Sequence, residues 1–101
     1  MQISAIGLAW YKEEQWGDFK KYCTDGDTMS ETYDSWLKGA LNAIQQMKQR
    51  NIKLYKIIID LNEFKEYCTD KNLEPNGNAR TEYVNLKVFQ NHKSGTLEPL
   101  W

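Results

Sequence analysis

Asp18-Phe19-Lys20-Lys21-Tyr22-Cys23-Thr24-Asp25 recurs 45 residues later as Glu63-Phe64-Lys65-Glu66-Tyr67-Cys68-Thr69-Asp70, with six of the eight positions identical. The surroundings repeat too. An apolar, strand-like run precedes each copy, and a polar connection leading into a helix with Thr and Tyr follows each. The echo predicts two related strand-helix-helix halves, residues 1–50 and 51–91. Chance likeness between two amphipathic helices is the alternative reading of so short a match.

Upstream of the first copy, Ile3 to Trp10 alternates larger side chains (Ile6, Leu8, Trp10) with small ones (Ala5, Gly7, Ala9), the period of a strand. Its small face would let another backbone approach closely. Upstream of the second copy, Ile52 to Asp60 contains Ile57-Ile58-Ile59, a β-branched run expected to be covered on both faces. Trp16, Phe19 and Cys23 fall on one face of a helix from about Lys12 to Thr24, and Leu61, Phe64 and Cys68 repeat that spacing. Asp60 stands at the N-cap of the second helix, with Glu63 placed to complete a capping box.

A long helix is expected from about Ser30 to Arg50, with an apolar stripe of Tyr33, Trp36, Leu37, Ala40, Leu41, Ile44 and Met47. Another should start near Asn76 to Asn78, beyond the breakers Pro75 and Gly77, and run through Ala79, Tyr83, Leu86 and Phe89. The order is β-α-α-β-α-α, a helix-rich α/β (or α+β) domain over residues 1–91 with a small parallel sheet. Residues 92–101 read as a tail. Two strands are marginal alone, so Thr96–Trp101 adds a strand, sheets of two chains join in a homodimer, or four helices shield the pair.

A chain of 101 residues matches one domain, burying roughly 60–70% of the surface of its unfolded form. Its net charge of −1 supplies no field to attract nucleic acid or an anionic membrane. The charge is uneven. Residues 13–34 hold seven carboxylates against Lys20 and Lys21, and residues 35–71 hold seven cations against four anions. The opening residues lack a basic leader with a long apolar stretch, and a cytoplasmic location is the expectation.

No catalytic, metal or cofactor constellation stands out. Cys23 and Cys68 read as small buried hydrophobes and lack zinc-site spacing. His92 is the single histidine. Asp25-Gly26-Asp27 lacks the succession of oxygen ligands of a calcium loop and reads as a turn. Glu13 and Glu14 are adjacent on a helix and diverge, so they do not form an acid/base pair. Lys48, Arg50, Lys53 and Lys56 gather where helix carbonyls favour cations.

Two groups remain as candidate binding residues. Arg80 lies in the first turn of the last helix, where it would hold an anion or a partner carboxylate near free amides, with Tyr83 one turn on, or pair with an acid of the first half. Trp10, Tyr11 and Trp16 form an aromatic cluster at a strand exit that either anchors a partner or is core. The leading expectation is a non-catalytic protein-interaction or regulatory module. The alternatives are a ligand-binding protein or enzyme with an anion pocket between the halves, and a phage- or mobile-element-encoded inhibitor using its acidic segment.

The segments WYKEEQW (10–16), TYDSW (32–36), IIIDLNEF (57–64) and NARTEY (78–83) resemble short bacterial and phage proteins to which no activity is assigned. That resemblance, from about residue 5 to residue 86, implies a bacterial or phage origin and a cytosolic setting, and carries no activity, cofactor or partner.

Overall fold

A computed structural model describes residues 6–100; the first part of the expected Ile3–Trp10 strand and Trp101 of the tail lie outside them. The alternating run forms β1 (Ile6–Tyr11), and the isoleucine run forms β2 (Leu54–Ile59). The two pair in parallel, from Ile6 opposite Leu54 to Tyr11 opposite Ile59. Between them lie α1 (Trp16–Tyr22) and α2 (Tyr33–Gln49), and after β2 come α3 (Leu61–Lys71) and α4 (Gly77–Ser94). The architecture is a small helix-rich α/β domain.

The sheet is mixed, which corrects the parallel expectation. A short β3 (Glu98–Pro99) pairs antiparallel with β2, Tyr55 opposite Pro99 and Lys56 opposite Glu98, giving the order β1-β2-β3. The cause lies in α4, which starts beside Tyr11 and passes Gly7 with Val88, so it runs back along the strands. Only Gly95 to Leu97 separate it from β3. A parallel entry needs a crossover of about a dozen residues or more, and the chain simply continues in the direction of α4. Gly95, at φ 71°, provides the left-handed turn that ends α4, beyond the residue 91 where the sequence reading stopped it.

α4 covers the face of β1 that carries the small residues. At Gly7 a methyl group would overlap Val88 and lie 2.8 Å from Val84 and 3.0 Å from Ile57, so glycine sets how closely helix and strand approach. Ile57, Val84 and Val88 are buried there, with Ala9 packed against them. The opposite face is less covered. Ile58 is 50% exposed and Ile6 48%, so the central isoleucine is not buried on both faces as the sequence suggested.

The two copies of the repeated octapeptide meet in the main core. Phe19 and Phe64 are fully buried with ring centroids 5.8 Å apart, and Cys23 and Cys68 belong to the same cluster. Their helices differ in length: α1 ends at Tyr22 because Cys23 turns extended, at ψ 137°, whereas α3 continues to Lys71. Asp60 caps α3 as expected, its Oδ2 accepting from the Glu63 amide at 3.1 Å. Glu63 takes the Tyr83 hydroxyl on Oε2 at 3.0 Å. The α2 stripe is only partly used, with Ala40 buried and Leu41 53% exposed. No described helix is long and apolar enough to cross a membrane.

Candidate binding site

The start of α4 is fastened to the loop after α1. Asn76 caps it, its Oδ1 accepting from the Ala79 amide at 3.0 Å. The Thr24 amide donates to the Pro75 carbonyl at 2.8 Å, which brings Asp25 to the helix end. There the Asp25 carboxylate receives Arg80 Nη1 on Oδ1 at 2.8 Å, Nη2 on Oδ2 at 3.0 Å and the Gly77 amide on Oδ2 at 3.0 Å. Of the two readings of Arg80, the pairing with an acid of the first half is the one present: the chain's own Asp25 occupies the place near the free helix amides.

This pair is well shielded, with side-chain exposures of 14% for Arg80 and 28% for Asp25. The Arg80 hydrogen bond, outweighing burial, holds the Asp25 carboxyl below the usual carboxylate range. Burial, the largest single influence, opposes the Arg80 charge, but the Asp25 hydrogen bond together with Tyr11 and Cys23 offsets it and keeps the guanidinium above its ordinary pKa. Burial also raises the pKa of the neighbouring Tyr11 hydroxyl and Cys23 thiol, against the pull of Arg80.

Tyr11 and Trp16 are buried, at 7% and 5% exposure, and belong to an aromatic cluster organised by Trp36 of α2. Trp36 lies 5.4 Å from Trp10, 5.1 Å from Tyr11 and 5.7 Å from Trp16 between ring centroids. Half-buried Trp10 also carries the Lys56 ammonium over its ring at 5.4 Å. Tyr83 turns toward Glu63 on α3, and burial, followed by that carboxylate, raises its pKa. Tyr11, Trp16 and Arg80 therefore converge, Trp10 stands behind Trp36, and Tyr83 sits apart.

Two recesses flank the Tyr11–Arg80 contact. One, of about 330 Å³, runs between β1 and α4, with Gly7, Leu8 and Ala9 on the strand side and Thr81, Val84 and Asn85 on the helix side. The other, of about 260 Å³, is lined by Tyr11, Trp16, Met29, Ser30, Trp36 and Arg80. The Trp16 indole Nε1 is buried without a hydrogen-bond partner, an omission that costs about 1–3 kcal/mol where nothing satisfies it.

Sequence reasoning missed Asp25, Trp36, Thr81 and Asn85 as parts of this region. The acidic 13–34 segment and the unusual cation in a first helical turn together pointed toward Asp25, but only the fold selects it from seven carboxylates. Thr81 and Asn85 are exposed polar residues with no local signature. Of the basic group, Lys48 lies in the last turn of α2 and Arg50 at its C-cap, whereas Lys56 stands on β2. Comparison with protein-family models, with curated protein sequences and with solved structures gave no match to this chain.

Proposed function

We propose that this chain is a non-catalytic protein-interaction module that adds an extended, uncharged segment of a partner protein to the outer edge of β1, in the cleft beside α4. The observation that carries the reading is the contrast between the two sheet edges. β3 has two residues, one acidic and one a proline, features that discourage strand pairing. β1 offers six residues, IGLAWY, without charge or proline, and among the described residues it pairs only with β2. An edge strand directs alternate backbone amides and carbonyls away from its neighbour, and an added strand satisfies them.

Strand addition draws affinity from main-chain hydrogen bonds and specificity from alternate side chains. On one face the guest's side chains would meet Thr81, Val84 and Asn85, and on the other Leu8 and Trp10. The one cation at the cleft, Arg80, is already neutralised by Asp25, which favours an uncharged guest. The proposal extends to a cytoplasmic partner and to descent of the two halves from one duplicated unit. The stacking of Phe19 on Phe64 within one core supports that descent.

A peptide-display selection on the immobilised chain tests the function. Uncharged, β-prone peptides should be enriched, and an Asn85→Trp variant, which fills the cleft from an exposed position, should lose them. Enrichment of charged peptides, or equal binding to Asn85→Trp, would overturn the reading. A concentration-dependent dimer that Asn85→Trp abolishes would replace the foreign segment by a second copy.

A further inference from the structure

We infer that the segment added to β1 is an amphipathic strand, with neutral hydrogen-bonding side chains such as Gln, Asn or Thr turned toward α4 and large apolar ones turned toward Leu8 and Trp10. The pattern rests on the strand-addition reading and fixes which guest positions carry which chemistry.

Strand pairing decides which backbone groups are open. Leu100 donates its amide to the Leu54 carbonyl at 3.0 Å, so Leu54, and in alternation Lys56 and Ile58, directs its backbone groups toward β3. Tyr55, Ile57 and Ile59 therefore face β1, and in the parallel register that sets Ala9 beside Ile57 they bond to Ile6, Leu8 and Trp10. The amides and carbonyls left at the outer edge belong to Gly7, Ala9 and Tyr11. The side chains of these three lie on the α4 face: a methyl at Gly7 would meet Val84 and Val88, Ala9 packs on the same valines, and Tyr11 lines the recess with Arg80. Directly opposed residues of neighbouring strands share a face. Guest residues opposite Gly7 and Ala9 thus project into the recess of about 330 Å³, and the residues between them project to the other side.

The two faces call for different side chains. In the recess Gly7 and Ala9 add little bulk, and the helix side presents Thr81 and Asn85 on either side of Val84. Both polar residues are exposed, so water serves the hydroxyl and the amide of the free chain. A guest side chain that displaces this water has to replace its hydrogen bonds, because a polar group left without a partner is penalised more than a made hydrogen bond is rewarded. A charged guest residue is disfavoured, since Asp25 already balances Arg80, the one cation of the recess. On the other face Ile6 is 48% exposed, and Leu8 and Trp10 are partly so. Apolar guest side chains remove that surface from water.

Two acetylated peptides serve as probes, one carrying Gln-Val three times between Gly-Ser ends, the other with Met in place of each Gln, close in size but without its hydrogen bonds. Each is titrated into the full chain labelled with ¹⁵N, and into a variant carrying Thr81→Val and Asn85→Leu, both at exposed positions. The Gln peptide should bind the parent more tightly than the Met peptide, and should move the amide signals of Gly7, Ala9 and Tyr11 more than those of Leu8 and Trp10. The ratio of the Gln to the Met affinity should fall at least about tenfold in the variant, the worth of one or two hydrogen bonds. Binding at β1 with a ratio that the variant leaves unchanged would overturn the alternation and leave strand addition standing. Binding that Asn85→Trp leaves intact, shifts confined to residues outside β1, or no binding of either peptide at millimolar concentration would overturn strand addition itself, and the alternation with it.

Discussion

Arg80 and Asp25, 55 residues apart in sequence, meet as a two-pronged ion pair at 2.8 and 3.0 Å, and the same carboxylate caps the amide of Gly77. The contact joins the loop after α1 to the start of α4. Arg80→Ala should therefore destabilise the fold by roughly 1–3 kcal/mol, leaving a shielded carboxylate without its strongest donor. Arg80→Lys should recover only part of this, because an ammonium cannot reproduce the planar fork. Urea denaturation of the three proteins at neutral pH checks the order.

Acid should weaken the fold through Asp60 as well. Its carboxyl is held down to about 2 by Lys12, then Gln15, then the Glu63 amide. A carboxylate with a depressed folded pKa contributes stability that is fully present above its unfolded value, near 3.9. That contribution is lost as the pH falls from about 4 toward 2. Asp60→Asn should be less stable than the parent at pH 6 and nearly equal to it at pH 2, as read from melting temperatures across that range. Asp25, depressed chiefly by Arg80, acts in the same direction.

Glycine positions separate packing from propensity. A methyl at Gly26 would overlap the Lys20 carbonyl, whereas nothing lies within 4 Å of one at Gly17 or Gly39. Gly39→Ala, at an exposed position inside α2, should stabilise by about 0.5–1 kcal/mol. Gly26→Ala should destabilise, since backbone rather than a flexible side chain must move. Gly7→Ala should also destabilise, less severely, by pushing Val84 and Val88 away from β1. Thermal melts rank all three.

Phe19 and Phe64, both fully buried and in ring contact, should behave as anchors of one core. Truncating either to Ala should cost roughly 3–5 kcal/mol and shift a single transition seen equally by far-UV circular dichroism and tryptophan fluorescence. Loss of helicity with an unmoved fluorescence transition in Phe64→Ala would mean that the halves melt separately. Both cysteines should resist thiol reagents until denaturant is added, because burial raises their pKa values and covers their sulfurs.

The strands, the Asp60 cap and the start of α4 were legible because period, capping chemistry and breakers are local signals. Those signals do not measure coverage. Ile58 alternates with Ile57 and Ile59 onto a less covered face, which an unbroken isoleucine run conceals. α1 was read too long because the extended turn at Cys23 comes from docking of Thr24 on Pro75, a contact of long sequence separation. The direction of β3 was equally hidden, since it follows from the path of α4 across the sheet. Of the residues that line the two recesses, Tyr11, Trp16 and Arg80 stood out in the sequence by residue type and position. Asp25 was visible only as one acid among several, and Trp36 only as part of a helical stripe.

The central claim is that β1 presents an unpaired edge that a partner strand completes, and residue-resolved amide hydrogen exchange measures this most directly. In the free chain, amides of β1 that point to β2 should be protected while the alternate ones exchange fast. Saturation with a peptide selected on the immobilised chain should slow the fast set within residues 6–11 and shift the backbone signals of Thr81 and Asn85. Full protection of all β1 amides in the free monomer, or protection gained only outside β1 on binding, would contradict the account.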